Sequence, residues 1–309
     1  MRRKVILDCD PGHDDAIAIL LAARSPALDV RAITVVAGNQ TLEKTLHNAL
    51  RVCSVAGIRD IPIAAGMSRP LVRDQIVAGD IHGASGLDGP ALGEPTIAPV
   101  PTHAVDLIVE EVLAAPGEIT LVPTGPLTNI AGALRREPKI TGKLQGIVLM
   151  GGAIAGGNIT PAAEFNIYAD PEAAHIVFTS GVALAMIGLD VTHQSIPGPR
   201  ERERIRRIGN PVAKLVDELL EFFGTSYRDV FGFEGPPIHD AVAVAEAIQP
   251  GIVRTQRVNV EIETRGALTY GMTVCDMYGI TGRAPNCAVG VELDRARFYD
   301  LLVEGLARY

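Results

Sequence analysis

The chain has 309 residues, of which 47% are hydrophobic and 21% are charged, enough for one large domain or two small ones around a substantial core. Its 36 acidic and 28 basic residues give a net charge of -8. That balance argues against a general surface for nucleic acids or anionic membranes, and it favours a small-molecule partner.

Cysteine usage and the N-terminal residues bear on the cellular compartment. The cysteines are scattered without a C-x-x-C pair, so neither a zinc knuckle nor a disulfide framework is expected. The apolar run before Asp8 is too short for a signal peptide, and no apolar stretch is long enough to span a membrane. We therefore expect a cytoplasmic protein with reduced thiols. The cysteines are Cys9, Cys53, Cys275 and Cys287.

Apolar runs alternate with helix-like patterns along the first two thirds of the chain. The predicted strands are Val5–Leu7, Val30–Ala37, Ile61–Ala65, Ile119–Pro123, Gly146–Met150 and Ala183–Leu189. The predicted helices are Asp15–Ala23, Leu42–Ala56, Ala104–Ala114, Leu127–Arg135 and Glu172–Thr179. Continuous apolar strands with intervening helices are typical of a parallel sheet covered on both faces. We predict an α/β fold with an open, doubly wound, mostly parallel sheet in one domain over 1–309.

The segment from Pro199 to Gly235 departs from this alternation. A charged helix at Arg200–Arg207, a longer one around Val212–Gly224 and several aromatic residues indicate a helical insertion beside the sheet. The remaining predicted elements are an antiparallel hairpin of Val258–Ile262 with Leu268–Val274 and a closing helix at Arg295–Ala307.

The turn after the first predicted strand is crowded with acids. Asp8, Asp10, Asp14 and Asp15 lie within eight residues around a Pro-Gly turn. Four carboxylates at one turn repel one another unless a cation neutralises them, and oxygen ligands suit calcium or magnesium. Asp14 and Asp15 could instead complement the helix dipole, and Asp8 could be tied to the backbone or to a hydroxyl. Because one helix N-terminus cannot satisfy four carboxylates, we favour a divalent-metal site.

Polar or glycine-rich segments also follow other predicted strands. Gly38-Asn39, the Thr124–Asn129 segment and Gly151-Gly152 come directly after strands, with Asn158 a little further on. Open α/β folds bind ligands at the carboxyl ends of their parallel strands. These residues are therefore expected to converge on one pocket.

Two downstream clusters could complete such a pocket. Asn158, Glu164 and Asn166 offer groups suited to sugar hydroxyls, although a polar loop before a helix is the plainer interpretation. Asp240 could complete a calcium shell that Asp10 and Asp15 begin, although an Asp that opens a helix is more often a cap. His239 could donate a proton near neutral pH, or it could be an ordinary buried histidine.

The motif Asp8-Cys9-Asp10-Pro11-Gly12-His13-Asp14-Asp15-Ala16 resembles the N-terminal signature of the inosine-uridine-preferring nucleoside hydrolases. The resemblance continues in order through Asn39, Val122–Asn129, Asn158, Glu164-Phe165-Asn166 and His239-Asp240. It implies a Rossmann-like sheet, one bound Ca²⁺ and hydrolysis of the N-glycosidic bond of ribonucleosides. Relatives of this kind are commonly dimers or tetramers, so a homodimer or homotetramer is expected.

The resemblance also implies roles for individual residues. Calcium would be held by the side chains of Asp10, Asp15 and Asp240 and by the carbonyl of Thr124. The ribose would be held by Asp14, Asn39, Asn158, Glu164 and Asn166. His82 would lie on a mobile loop that closes over the substrate, and Tyr227, Phe231 and His239 would form the wall that meets the base.

Glycosidic cleavage develops positive charge on the ribose and negative charge on the departing base. Asp10 is the candidate to take the proton of the attacking water, and His239 is the candidate to protonate the leaving base. We expect uridine and cytidine as substrates, with inosine as an additional candidate. The alternatives are a metal-dependent phosphatase like the haloacid dehalogenases, which also carry an Asp-x-Asp after the first strand, and a non-catalytic nucleoside- or sugar-binding protein.

Overall fold

The computed structural model describes residues 2–309. Its strands are β1 (Arg3–Cys9), β2 (Leu28–Val35), β3 (Ile63–Ala65), β4 (Ile119–Pro123), β5 (Leu144–Met150), β6 (Leu184–Ile187), β7 (Val253–Val258), β8 (Val260–Ile262), β9 (Thr273–Cys275) and β10 (Cys287–Leu293). Its α-helices are α1 (His13–Ala23), α2 (Leu42–Val55), α3 (Gly79–His82), α4 (Ala104–Ala114), α5 (Thr128–Arg136), α6 (Phe165–Ala169), α7 (Pro171–Phe178), α8 (Leu189–Thr192), α9 (Pro199–Arg206), α10 (Pro211–Phe231), α11 (His239–Ile248) and α12 (Arg295–Leu306), with short 3₁₀ helices at Pro138–Lys143 and His193–Ser195.

The central sheet has the strand order β3-β2-β1-β4-β5-β6-β10-β7. Neighbouring strands run parallel except β10 and β7, which pair antiparallel at one edge. One buried apolar layer joins the sheet to α1, α2, α10, α11 and α12, and a second joins its other face to α4, α5 and α7. Because both faces are covered, β1 is buried without interruption from Val5 to Cys9. The predicted α/β architecture and the mostly parallel sheet are confirmed.

The sheet reverses its direction of growth between β1 and β4. The chain moves outward through β2 and β3, then returns to β4 on the other side of β1. The loops that follow β1, β2 and β4 therefore diverge around a crevice at the carboxyl ends of these strands, which is where open α/β sheets bind ligands.

The six predicted strands and five predicted helices of the first part of the chain are present, with small shifts at their ends. The insertion is also helical, but its second helix, α10, continues to Phe231 rather than ending near Gly224. This longer helix carries Tyr227 and Phe231 back toward the carboxyl edge of the sheet.

The predicted C-terminal hairpin is wrong in its boundaries. Val260–Ile262 pairs antiparallel with Thr273–Cys275, whereas Leu268 lies outside both strands and is 88% exposed. Val258 ends β7, which pairs with β10 in the main sheet. The middle residues of β7, Arg254 to Arg257, are exposed because the strand lies at the sheet edge, so the segment lacks the apolar run that identified the buried strands.

Helix lengths and hydropathies bear on membrane insertion. Across residues 2–309, no helix is both long enough and apolar enough to cross a bilayer.

Candidate active site

The acidic turn joins β1 to α1. Asp10 follows the last residue of β1, and Asp14 and Asp15 lie in the first turn of α1. The Asp15 carboxylate accepts the backbone N–H groups of Gly12 at 3.0 Å and of Asp10 at 3.3 Å. Asp15 therefore caps its own helix and fixes the turn, while its oxygens stay at the crevice.

Asp10 lies between the loops that follow β2 and β4. Its Oδ2 accepts the backbone N–H of Asn39 at 2.6 Å, and a Cβ atom at either Gly38 or Gly125 would collide with the carboxylate. Its Oδ1 is buried and has no hydrogen-bond partner among the described residues. Oδ2 of Asp8 is likewise buried without a partner, and because such carboxylate oxygens are costly, the turn as a whole is suited to a cationic group that the protein does not itself supply.

Asp240 approaches the same turn from the start of α11. Carboxylate oxygens of Asp14, Asp15 and Asp240 lie within 4.8 Å of one another, and the three residues are buried. We call Asp10, Asp14, Asp15 and Asp240 the acidic floor. Burial raises the pKa of all of them, Asp14 to about 8, and neighbouring floor carboxylates raise it further for Asp10, Asp14 and Asp240.

No arginine, lysine or histidine of residues 2–309 forms an ion pair with the acidic floor. The donors at this position are carboxylate oxygens, with the hydroxyl and carbonyl of Thr124 beside them. The Thr124 hydroxyl donates to Asp15 at 2.9 Å, and its carbonyl accepts Nδ2 of Asn166 at 2.7 Å. A set of hard oxygen donors with surplus negative charge fits a divalent cation.

Asp8 has a different environment from the floor acids. Its Oδ1 accepts the Thr34 hydroxyl at 2.6 Å and the Asn129 amide at 2.8 Å beneath the turn. Burial raises the pKa of Asp8 to about 7. These contacts agree with the supporting role considered from the sequence.

The side chains expected to bind ribose line one cleft above the floor, and most are also engaged with the protein. Glu164 caps α6 by accepting the N–H groups of Asn166 and Ile167, and it also accepts that of Gly152. Burial raises its pKa to about 7. Asn158 accepts the N–H of Phe165 at 2.8 Å. The cleft is lined, among others, by Asp14, Asn39, His82, Thr124, Asn158, Glu164, Asn166, Tyr227, Phe231, His239 and Asp240.

The same cleft is also lined by rings that we call the aromatic wall, formed by His82, Phe223, Tyr227, Phe231 and His239. The Tyr227 hydroxyl lies 2.7 Å from Nε2 of His239, and the Thr192 hydroxyl lies 2.7 Å from its Nδ1. Burial lowers the pKa of His239 to about 3, with a smaller contribution from His193. His239 is therefore a neutral imidazole near pH 7, held by hydroxyl groups at both nitrogens.

His82 lies on the short helix α3, and its ring contacts the ring of His13. Their Nδ1 atoms are 3.1 Å apart, and Nε2 of His13 is 2.8 Å from the carbonyl of Asp88. The His13 ring also stacks on Phe222 and Phe223 with centroid separations of 5.1 and 5.2 Å. Sequence reasoning assigned no role to His13, Phe223 or Thr192.

These omissions have a common physical origin. His13 stands inside the acidic motif, where no local pattern indicates its tertiary neighbours, and Phe223 stands inside the insertion, where only its helical spacing from other aromatic residues is informative. Helical periodicity places Phe223, Tyr227 and Phe231 on one face of α10, and this spacing was the signal that could have grouped Phe223 with the other two.

The chain is similar to nucleoside hydrolases over nearly its whole length. A family model described as inosine-uridine preferring nucleoside hydrolase matches residues 5–300. The pyrimidine-specific ribonucleoside hydrolase RihA of Photobacterium profundum is 51% identical over 310 residues, covering 100% of both chains. The pyrimidine-specific ribonucleoside hydrolase RihB of Escherichia coli is 49% identical over 308 residues, covering 100% of this chain and 98% of that protein.

Solved structures give the same assignment. A purine-preferring ribonucleoside hydrolase from Gardnerella vaginalis has a TM-score of 0.92 at 33% identity, covering 99% of this chain and 98% of that one. A plant nucleoside hydrolase has a TM-score of 0.90 at 34% identity, covering 99% of each chain.

Proposed function

The chain belongs to the inosine-uridine preferring nucleoside hydrolase family, and on that premise we propose that it hydrolyses the N-glycosidic bond of pyrimidine ribonucleosides. The observation that carries the proposal is a cleft whose lining joins Asp14 and Asp240 of the buried acidic floor to a wall of aromatic rings and histidines. Neither the phosphatase nor the non-catalytic binding protein considered from the sequence is supported by these comparisons.

We propose calcium as the resident cation. Asp10, Asp15, Asp240 and the Thr124 carbonyl would hold it, and the unpartnered Oδ1 of Asp10 is one position for it. Asp14 lies close enough to Asp15 and Asp240 to take part as well as to bind ribose. When bound, a divalent cation supplies positive charge that orients ribose hydroxyls and lowers the pKa of a water molecule.

The floor and the ribose-facing residues would stabilise the sugar in the transition state. Positive charge develops on the ribose ring as the bond to the base stretches, and buried carboxylates favour that charge over the neutral substrate. Asp10 would accept a proton from the water whose oxygen attacks C1′. Asn39, Asn158, Glu164 and Asn166 would fix the hydroxyl groups, so that C1′ faces that water.

The wall would serve the leaving base, which takes the electron pair of the broken C–N bond and must gain a proton. If Nε2 of His239 carries its hydrogen, it donates to the Tyr227 oxygen, and the Tyr227 hydroxyl hydrogen is then available to the base. Since His239 is neutral, we propose that the Tyr227 hydroxyl donates this proton, rather than a charged imidazolium. The Nε2–H of His239 then hydrogen-bonds the phenolate oxygen left behind, and solvent water returns a proton to that oxygen once the base has left.

Base preference is supported by the relatives rather than by the fold. The relatives that are 51% and 49% identical are named pyrimidine-specific, whereas the purine-preferring structure shares the fold at a TM-score of 0.92. The same architecture therefore accommodates either preference, and we propose that the aromatic wall determines the choice. We propose uridine and cytidine as preferred substrates, with inosine as an additional one.

We also propose a cytoplasmic homodimer or homotetramer. The cysteines Cys9, Cys53, Cys275 and Cys287 are free thiols, which suits a reducing compartment. Leu268, Tyr278 and Ile280 are at least 84% exposed, and such apolar exposure suits contact with another copy of the chain. Light scattering of the purified protein measures the oligomeric state directly, and a monomeric mass would contradict that part of the proposal.

The central experiment is a comparison of kcat/KM for uridine, cytidine, inosine and adenosine, each before and after chelation and after calcium is added back. We expect the two pyrimidine nucleosides to be hydrolysed fastest and chelation to abolish turnover. Undiminished turnover after chelation would contradict the metal assignment. Faster hydrolysis of inosine than of uridine would contradict the base preference.

A further inference from the structure

The Glu164 carboxylate receives three backbone N–H groups, and one of them comes from a different segment of the chain. Asn166 and Ile167 lie in the helix that Glu164 caps, so their N–H groups are local donors. The third donor is Gly152, whose nitrogen lies 2.8 Å from Oε2 in the loop that follows β5. This bond ties the carboxylate to the edge of the central sheet, so the orientation of the carboxylate depends on how the Gly152 backbone is held.

The peptide group between Gly152 and Ala153 is held at both of its ends. The Gly152 carbonyl accepts the N–H of Leu189 at 2.9 Å. The Ala153 N–H donates to Oγ1 of Thr273 at 2.9 Å, and the Thr273 hydroxyl donates to the Ala153 carbonyl at 2.6 Å. One hydroxyl thus satisfies two buried backbone groups, one as acceptor and one as donor. An aliphatic side chain of the same shape could satisfy neither.

Gly152 depends on these contacts because it has no side chain of its own to restrict it. Its φ of 74° lies in the left-handed region, which glycine adopts at no steric cost. A Cβ atom at this position would lie 2.8 Å from Cγ2 of Thr273 and 2.9 Å from Sδ of Met186. The methyl group of Thr273 therefore packs beside Gly152, while its hydroxyl binds the residue that follows.

Thr273 is itself well anchored. It is 3% exposed and begins β9, which pairs with β8 in a hairpin. In the connection between these strands, the Tyr270 hydroxyl lies 2.7 and 2.9 Å from the two carboxylate oxygens of Glu172 on α7. The Arg73 guanidinium lies over the rings of Tyr168 and Tyr270, at 4.1 and 5.5 Å from their centroids. The hairpin is thus attached to α6 and α7, on the side of the cleft expected to bind ribose.

We propose that Thr273 is a positioning residue for Glu164. Its hydroxyl fixes the peptide group between Gly152 and Ala153, so that the Gly152 N–H holds the carboxylate in place at the cleft. Thr273 does not line the cleft and acts only through these neighbours. The statement that the oriented carboxylate serves ribose rests on the proposed function. The positioning contacts do not, because they are made within the protein.

The first test measures amide hydrogen exchange by NMR and needs no substrate. Exchange rates of the Gly152 and Ala153 amides are compared with those of β1, which report global opening. We expect Thr273→Val to speed the exchange of both amides at least about tenfold and Thr273→Ser to leave them within about threefold of wild type. Glu164→Ala should speed the exchange of Gly152 alone. Unchanged exchange of Gly152 in Thr273→Val would overturn the proposal.

The second test separates hydrogen bonding from packing. Thr273→Val keeps the shape of the side chain but loses both hydrogen bonds, whereas Thr273→Ser keeps the hydroxyl and loses the methyl group. We expect kcat/KM for uridine to fall about tenfold in Thr273→Val and to stay within about threefold of wild type in Thr273→Ser. Thr273→Ala, which also lacks the hydroxyl, takes the place of Thr273→Val if that variant does not fold. A Thr273→Ser variant as impaired as Thr273→Val would show that packing dominates and would overturn the positioning role.

Tyr309→Phe controls for the general loss of an internal hydrogen bond. The Tyr309 hydroxyl donates to the carbonyl of Leu20 at 2.8 Å, and neither residue lines the cleft. We expect this variant to have a lower Tm and an unchanged kcat/KM. An equal loss of kcat/KM in Tyr309→Phe and Thr273→Val would mean that lowered stability alone explains the effect, against the proposal.

A double-mutant cycle tests whether the effect passes through Glu164. Glu164→Ala has no carboxylate to orient, so adding Thr273→Val should lower its kcat/KM by less than about twofold. A further tenfold fall in the double variant would show that Thr273 acts on another part of the site, and the assignment would then be wrong.

Failure of this proposal can be distinguished from failure of the proposed function. A wild-type protein that hydrolyses no ribonucleoside would refute the proposed function, while hydrogen exchange would still decide whether Thr273 holds Gly152 against Glu164. Full activity in Glu164→Ala would refute the role of Glu164 in binding ribose, and with it the contribution of Thr273 to the reaction.

Discussion

The acidic floor and the histidines of the aromatic wall are buried, whereas Phe231 is partly exposed, and burial shifts the pKa values of the carboxyls and of the histidines in opposite directions. It raises the pKa of the floor carboxyls, Asp14 to about 8, and lowers the pKa of His239 to about 3. Desolvation penalises the charged form in both regions. In the floor, a bound cation would favour the ionised, negatively charged carboxylates. In the wall, the neutral imidazole of His239 already has hydroxyl groups as hydrogen-bond partners.

This difference assigns the two regions to different halves of one reaction. A region of carboxylates that a cation keeps ionised suits the sugar and the attacking water. The sugar develops positive charge, and the water must give a proton to a negative oxygen. A region that stays neutral suits the flat, weakly polar base and a proton passed between neutral groups. Variants of the floor and of the wall should therefore fail in distinguishable ways.

The largest effect is expected from Asp10→Asn. This change keeps the shape of the side chain between Gly38 and Gly125 but removes a charge and the proposed proton acceptor. We expect kcat for uridine to fall by about three orders of magnitude with the fold intact, as circular dichroism would show. Near-normal turnover would refute the assignment.

Asp8→Asn is the matched control for that prediction. Asp8 stands two positions earlier and is equally buried, but its Oδ1 binds Thr34 and Asn129 below the floor. We expect a lower Tm and a kcat within about tenfold of wild type, because the side chain supports the turn from beneath and is not the proposed proton acceptor. Equal losses of kcat in both variants would mean that Asp10 acts through the turn rather than through chemistry.

A smaller effect is expected from His239→Ala in the wall. Removing the partner of Tyr227 should lower kcat for uridine about a hundredfold, because the Tyr227 oxygen then loses the hydrogen bond that stabilises it as it gives its proton to the departing base. With 4-nitrophenyl riboside, whose leaving group needs no proton, the loss should nearly disappear. Asp10→Asn should be equally impaired on both substrates, because each requires attack by water. A His239→Ala defect of the same size on both substrates would contradict the division between floor and wall.

The floor should also make stability depend on pH in the metal-free protein. The pKa of Asp14 is raised from 3.8 to about 8, so its stabilising contribution is complete below 3.8 and is lost as the pH rises through about 8. Glu164, raised from 4.5 to about 7, acts in the same direction. We expect Tm to fall between pH 5 and pH 8. Surface acids such as Asp217, whose pKa is lowered, stay ionised throughout this range and do not contribute to the change.

Calcium should reverse this loss. At saturating concentration we expect it to raise Tm by about 5 °C at pH 8 and by less at pH 5, where protons compete for the floor. Differential scanning fluorimetry measures both values, and Asp240→Asn, which lacks one floor charge, should respond less. A metal-free Tm that is flat or rises from pH 5 to pH 8, together with no calcium response, would contradict the electrostatic account of the floor.

The floor was largely predictable from the residue pattern, whereas His82, Tyr227, Phe231 and His239 of the wall were identified only through the family resemblance, and the contacts among them were not predictable. Asp10, Asp14 and Asp15 are neighbours in one motif after an apolar strand, and the topology of parallel sheets indicates where that motif must lie. Asp240 is distant in sequence, so the residue pattern offered it as a calcium ligand only beside the alternative of a helix cap, and the resemblance to the family favoured the ligand. The capping function of Glu164 could have been suspected from its place before a helix, but its burial could not.

The wall depends on tertiary contacts that leave no local signal. His13 looks like one more polar residue of an acidic turn, and only the fold brings it against His82 and Phe222. The low pKa of His239 likewise comes from burial among elements that are distant in sequence. The sequence therefore could not indicate whether His239 is charged near neutral pH, as a direct proton donor would have to be. The edge strand β7 was missed for a related reason, since exposure at an edge removes the hydrophobic pattern.

The smallest effect is expected at the rim of the wall. Phe231 lines the cleft with its ring centroid 5.1 Å from that of Tyr227, so it can cover one face of the base without touching the reacting atoms. Phe231→Ala should raise KM for uridine about fivefold and leave kcat nearly unchanged, as expected for lost contact with an aromatic ring. Phe233→Ala is the matched control, because Phe233 also packs on Tyr227, at 5.8 Å, but does not line the cleft. If both variants raise KM equally, Phe231 acts by supporting Tyr227. If Phe231→Ala alone does so, the rim contacts the base and is a place where preference between pyrimidines and purines can be set.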